Sequence, residues 1–204
     1  MPYLGEPFDQ SYFEGFGSRH EGYWNFPDNF VRHNFAVVWA DDIEAETGLV
    51  TGKDILVVGC AYGFLVAELD SRGANAIGID ISGWAISQAN LRFPGSTFVQ
   101  EDFIINSFSN NQFNMSVNLG VLECMSTDPE IGTFLSQTRR VVDNSRSYYF
   151  LLDYSTSQQG TVYQNRTAAE WLAAMEAGLP GPFAFDVQDV GHLPVYYRTR
   201  VVVS

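Results

Sequence analysis

Lysine is almost missing from this chain. Of its 204 residues only 11 are basic, and Lys53 is the single lysine among them, against 24 acids; the formal charge is −13. A surface of that sign repels a phosphate backbone on average, which argues against nucleic acid as a partner. Arg139, Arg140 and Arg146 lie close in sequence. They read either as a local cationic patch or as a helix end where cations favour the C-terminal dipole. Cysteine is scarce too: Cys60 and Cys124 are too few for a disulfide framework or a cysteine-based zinc site, so both are expected as reduced thiols, and no metal is expected. No apolar run is long enough to span a bilayer, so no membrane partner is expected. The opening MPYLGEPFDQ lacks the basic-then-apolar order of a secretory signal, which makes the cytoplasm the expected compartment.

The chain is nevertheless rich in core-forming residues, 46% hydrophobic and 15% aromatic, as a globular protein is. Its length suits one domain over 1–204, since a split would leave two pieces with little interior each. The stretch YFEGFGSRHEGYWNF mixes aromatics and glycines without a period and reads as a loop segment that packs on something. A helix follows over about 28–46, with Phe30, Asn34, Val37 and Val38 near one face and Gly48 as its stop.

From there strands and helices alternate. Strands are expected at 54–58, 75–79, 97–100, 113–119 and 147–152. Helices are expected at 64–72, at 82–92 with Ser82 as cap, and at 128–142; the last starts at the capping box of Thr167 and Glu170 and ends near Gly178. The runs FAFDVQDV and VYYRTRVVV, joined by GHLP, read as a hairpin. Alternation of this kind means parallel strands with crossover helices on both faces, here with an antiparallel hairpin added at the end. Ligands of such sheets sit at the carboxyl ends of the strands.

The first of those ends carries VVGCAYG. Gly59 and Gly63 mark either a nucleotide-binding turn, in which the backbone approaches a ligand and a helix start offers free N–H groups, or an ordinary turn after a buried strand. About twenty residues past Gly59 comes Asp80, where a carboxylate can accept both hydroxyls of a ribose. A nicotinamide fingerprint would need glycine at positions 61 and 64, which hold Ala61 and Phe64. Carboxylates such as Asp80 and Asp102 also end strands simply because loops are wet.

Taken in order, these segments resemble the class I methyltransferases that use S-adenosylmethionine, and the resemblance runs from residue 54 to the C-terminus. Gly59, Ala61 and Gly63 stand at the three glycine positions of the family's first motif, with Cys60 between them, and Val57 stands where the family usually has an acid. The resemblance implies a Rossmann-like α/β fold, with a seven-stranded, mostly parallel sheet and a C-terminal antiparallel hairpin. Residues 51–204 would form its cofactor-binding core, and 1–50 a lid segment and leading helix. It implies S-adenosylmethionine as cofactor, with Asp80 on the ribose, Ile81 against the adenine, Asp102 accepting the adenine amino group and Phe103 beside it. FNMSVNLGVLECMS is similar to the family's fourth strand and its exit, with Asn114 for the usual aspartate and Cys124 for the usual histidine. Asn118, Leu119 and Gly120 would line the methionine end.

The implied activity is methyl transfer to a small-molecule acceptor. Alternatives are a protein or peptide side chain as acceptor, or a non-catalytic binding protein on the same fold. Tyr12, Phe13, Tyr23 and Trp24 are either the lid or ordinary packing. His20 is the imidazole base candidate or a loop histidine without a role, and Glu123 and Tyr154 are expected near the carboxyl edge of the sheet. Cys60 and Cys124 also read as small buried hydrophobes.

Overall fold

The structure, a computed structural model, describes residues 8–14, 29–125, 127–153, 166–179, 185–189 and 198–203. They fall into two compact units, one within 6–105 and the other from 106 onward.

The first unit contains, in chain order, α1 (Gln10–Glu14), α2 (Asn29–Thr47), β1 (Asp54–Val58), α3 (Phe64–Ser71), β2 (Asn75–Asp80), α4 (Gly83–Arg92) and β3 (Thr97–Gln100), followed by a 3-10 turn at Phe103–Ile105. Its strands lie in the order β3-β2-β1, all parallel. Ile55, Leu56, Val57 and Val58 are all buried, as a strand covered on both faces requires. Ser82 caps α4 as expected, its hydroxyl accepting from the Ala85 N–H at 3.1 Å.

Two expectations are corrected here. Tyr12 to Glu14 are helical rather than loop. The Asp9 carboxylate accepts from the Tyr12 N–H at 3.3 Å and its carbonyl from Phe13, which starts a turn too short to show a period. In α2 the buried stripe is Ala36, Ala40 and Ile43, at helical spacing, while Asn34 and Val38 are exposed. Alanines bring α2 close to α3, so the smaller side chains take the inner face.

Lys53 closes the end of α2. Its ammonium donates to the Thr47 carbonyl at 3.1 Å and the Gly48 carbonyl at 3.5 Å, where the helix dipole is negative. Gly48, at φ 77°, donates to the Glu44 carbonyl and stops the helix in the left-handed conformation that glycine adopts without a Cβ penalty. Arg72, just past α3, ties the two helices together. It meets Glu44 and Asp41 of α2 at 2.8 Å each and Glu68 of α3 at 2.9 Å, and also donates to the Val37 carbonyl. Burial alone would lower the guanidinium's pKa; the bonds to Glu44, Glu68 and Asp41 outweigh it and hold the group above its ordinary value.

The second unit contains β4 (Phe113–Leu119), a 3-10 turn at Leu122–Cys124, α5 (Asp128–Val141), β5 (Val142–Asp153), α6 (Ala168–Gly178), β6 (Phe185–Asp189) and β7 (Arg198–Val203). The strand order is β4-β5-β7-β6. β4 and β5 are parallel, whereas β7 runs antiparallel to both β5 and β6. Five of the seven strands are thus paired in parallel, and the C-terminal hairpin supplies the antiparallel part. β5 starts at Val142, directly after α5 and earlier than expected. Thr167 and Glu170 form the expected capping box, with the Thr167 N–H on the Glu170 carboxylate at 2.7 Å. Arg140 is not part of an open cationic patch; it donates to Asn106, Asn110 and Gln137 side chains and to the Phe108 carbonyl.

Arg72→Met keeps the aliphatic stem but leaves the half-buried Glu44 and Glu68 without their shared cation. The expected cost is about 2 kcal/mol of unfolding free energy, read as a lowered urea midpoint. An unchanged midpoint would contradict the role given to Arg72.

Candidate functional site

β1 ends at Val58 and the chain reverses through 59–63 before α3 begins. Three alternate residues of this turn are left-handed: Gly59 at φ 70°, Ala61 at 48° and Gly63 at 81°. The turn is anchored on the end of β2, because the N–H groups of Gly59 and Cys60 both donate to the Ile79 carbonyl, at 2.8 and 3.1 Å. The next residue, Asp80, completes the anchor: its Oδ2 accepts from the Ala61 N–H and its Oδ1 from the Ser82 N–H, each at 2.9 Å. One carboxylate therefore shapes the turn after β1 and the start of α4 together.

Burial pushes the Asp80 carboxyl above its ordinary pKa, against the opposing effect of the Ser82, Ala61 and Ile81 N–H groups. A carboxylate offers about four acceptor positions, so the bonds from Ala61 and Ser82 leave capacity for further donors. The N-cap of α3 is Gly63, with no side chain bonded to the helix's first N–H groups. Such a helix start favours a negative group.

Gly63 is confined by its neighbours as well as by φ. A Cβ there would stand 2.6 Å from the Phe98 ring and 3.0 Å from Ala89 Cβ. Gly78 of β2 likewise makes room for Cys60, since its Cβ would meet Cys60 Sγ at 2.8 Å. The Cys60 thiol is buried on that strand; burial first, then the Asp80 charge, raise its pKa well above the ordinary value, so it stays protonated at neutral pH.

Asp102 follows β3 and accepts from the Ile104 N–H at 2.9 Å, which starts the 3-10 turn. The Glu101 N–H donates to the Asp80 carbonyl at 3.1 Å, so the two acid-bearing strand ends lie side by side. Phe103 is buried, while Ile81 is 37% exposed and presents apolar surface next to Asp80. The structure thus brings Gly59, Cys60, Ala61, Gly63, Asp80, Ile81, Asp102 and Phe103 to the carboxyl ends of β1, β2 and β3. Asn118, Leu119 and Gly120 stand at the end of β4 in the second unit, Asn118 buried and Gly120 at φ 68°. Cys124 is buried and its thiol lies 3.5 Å from the Gly120 carbonyl. Glu123 lies in the 3-10 turn Leu122–Cys124, but its side chain is outside the described residues, as are His20 and Tyr154 altogether.

Sequence reading missed Tyr62, which supports the turn from beneath. Its ring stacks on Phe13 of α1 at 5.3 Å and lies under the Arg92 guanidinium at 4.8 Å, and its hydroxyl accepts from Trp84 Nε1 at 3.2 Å. Phe13, Ala61, Tyr62 and Ala85 form one buried cluster, with Tyr12 packed against it. Tyr23 and Trp24, the other residues read as a lid, lie outside the described residues.

Residues 55–145 match the family described as methyltransferase domain. The match covers a little under half of the chain, and the solved structures similar to it show the fold. Among solved structures it is similar to an S-adenosylmethionine-dependent methyltransferase from Mesorhizobium loti, at 14% identity and TM-score 0.66 over 80% of this chain and 95% of that one. It is also similar to magnesium protoporphyrin IX methyltransferase from Synechocystis PCC 6803 with bound S-adenosylmethionine, at 17% identity and TM-score 0.65 over 86% and 84%. The [4+2]-cyclase SpnF matches at 19% identity and TM-score 0.66, over 78% of this chain and 62% of that one. No curated protein matches. The fold is therefore the Rossmann-like α/β methyltransferase fold. Within the matched residues Val57, where class I methyltransferases usually have an acid, is 2% exposed and packs as core. No helix among the described residues is long and apolar enough to cross a membrane.

The two tight positions of the turn respond oppositely to substitution. Gly63→Ala adds both left-handed strain and a clash, for a loss of about 2–4 kcal/mol of stability. Ala61→Gly relieves a left-handed alanine worth about 1–2 kcal/mol and gives back about 0.5–1 kcal/mol in unfolded-chain entropy, so stability is unchanged or slightly raised. Denaturant midpoints check both; an Ala61→Gly loss as large as that of Gly63→Ala would contradict the assigned conformations.

Proposed function

We propose that this protein transfers the methyl group of S-adenosylmethionine to a small-molecule acceptor. The carrying observation is the Asp80 carboxylate, bonded to Ala61 and Ser82 and with acceptor capacity remaining beside a turn of three left-handed residues. That is a place for two vicinal hydroxyls, the ribose of an adenosine. The cofactor is S-adenosylmethionine, whose sulfonium supplies an already activated methyl carbon for in-line displacement.

The chain's own part is to bind, orient and exclude water. Asp80 accepts the ribose hydroxyls. Ile81 and Phe103 flank the base, and Asp102 is assigned to its amino group. Asn118, Leu119 and Gly120 are assigned to the methionine end. An acceptor held roughly 3 Å from the methyl carbon needs a base only when it must lose a proton. For that role the candidates are Glu123, Tyr154 and His20.

A second reading, a binding protein without transfer activity, is favoured by Val57 alone: the buried valine gives the cofactor no polar contact where the family usually places an acid. Transfer of a labelled methyl group onto any fraction of a small-molecule extract excludes it.

Calorimetry with S-adenosylhomocysteine tests the main reading. Wild type is expected to bind, and Asp80→Ala to bind at least tenfold more weakly, about 1.4 kcal/mol. The hydroxyls require the ionised carboxylate, and burial raises its pKa above the ordinary ~3.9. Affinity is therefore full above the raised value and declines as pH falls through it, at a higher pH than an ordinary aspartate would give. The absence of binding by wild type at millimolar ligand would overturn the proposal.

A further inference from the structure

The five residues of α1, Gln10–Glu14, lie on the turn after β1. Phe13 is buried in one cluster with Ala61, Tyr62 and Ala85, and Phe8 and Tyr12 pack against it. Its ring stacks on Tyr62 at 5.3 Å; Tyr12 meets Phe13 edge-on at 5.0 Å, and Phe8 meets Tyr12 at 4.9 Å. Ala61 and Ala85 belong to the two pieces of backbone that Asp80 joins, the turn and the start of α4. Two groups thus hold that pair together, Asp80 by hydrogen bonds and α1 by aromatic packing.

Docking is what keeps α1 formed. Its five residues fall far short of the ~12–15 at which an isolated helix becomes even marginal in water. Phe8, just before it, is held at φ 42°, a left-handed conformation that is strained for a bulky side chain and that release of α1 would relax. Few contacts and local strain together make an element with two states, docked and released.

We propose that α1 is a strap whose docking on Tyr62 is linked to cofactor binding at Asp80; this rests on the methyltransferase reading above. Tyr62 is the positioning residue of the link, because it stands between the left-handed Ala61 and Gly63 while its ring carries the Phe13 contact. A docked α1 orders the turn in advance, so the cofactor binds a site already arranged. Linkage is reciprocal: the bound cofactor favours docking by the same factor as docking raises affinity. Lifting α1 therefore loosens the cofactor, which gives the N-terminal segment control over loading and release.

Hydrogen exchange and calorimetry test the link on the full chain, at a temperature where circular dichroism shows each variant folded. In wild type, saturating S-adenosylhomocysteine is expected to slow exchange of the Tyr12 and Phe13 amides, both bonded to Asp9, at least fivefold. Phe13→Ala removes the ring without touching a residue assigned to the cofactor. It is expected to weaken S-adenosylhomocysteine at least fivefold and to abolish that slowing, whereas a Phe13 that only packs would lower the urea midpoint and leave affinity unchanged. Tyr62→Leu removes the stack from the other side, and Phe13→Ala then costs no further affinity; Tyr62→Phe keeps the ring and binds within threefold of wild type.

The proposal is overturned if the ligand leaves Tyr12 and Phe13 exchange unchanged in wild type, or if Phe13→Ala binds as wild type does. It is also overturned if the losses from Phe13→Ala and Tyr62→Leu multiply in the double variant, the result for an α1 that covers the ligand with no route through Tyr62. The first two results stand even where Tyr62→Leu fails to fold. Failure of wild type to bind S-adenosylhomocysteine is a different result and overturns the proposed function itself.

Discussion

The Asp80 carboxylate holds two pieces of backbone at once, the Ala61 N–H in the turn after β1 and the Ser82 N–H at the start of α4. Most of the first unit's functional geometry depends on that bridge. A buried carboxylate is costly unless hydrogen bonds compensate it, and here the compensation comes from backbone groups whose positions it thereby fixes. Ala61 bears a Cβ at φ 48° and sits in a conformation with its own cost. The bond from its N–H to Asp80 is one interaction that offsets it. The group that shapes the turn is therefore the same group that would receive the ribose, so loop geometry and cofactor affinity are coupled through one side chain.

Support from below is aromatic. Tyr62 is fixed by Phe13, Arg92 and Trp84, which belong to α1 and α4. Stacking, a cation over the ring and a hydroxyl bond each constrain a different degree of freedom of that side chain. Beside it, Gly63 and Gly78 leave space that Phe98 and Cys60 fill. The turn is thus packed from one side and bonded from another. Cys60, in the middle of the motif, acts as a small buried hydrophobe whose protonated thiol has no nucleophilic character.

Much of this was legible in the chain, for identifiable reasons. β1 is an apolar run, β4 alternates apolar and polar residues, and α6 carries a full capping box, so their ends could be read directly. The order of glycine turn, Asp80 and Asp102 put these residues at neighbouring strand ends because strand ends in a parallel sheet come together by topology. α1 was not legible, since five residues have no period and its place is set by Phe13 stacking on Tyr62. The inner face of α2 was misread because Ala36 and Ala40 carry little hydropathy, yet their small size is what permits close helix packing.

The proposed function turns on Asp80 receiving an adenosine ribose. A crystal structure of the protein with S-adenosylhomocysteine tests it most directly. The predicted result has the two ribose hydroxyls within hydrogen-bond distance of the Asp80 carboxylate, which keeps its bonds to Ala61 and Ser82. A nucleoside bound elsewhere, with Asp80 holding only those two backbone groups, would contradict it.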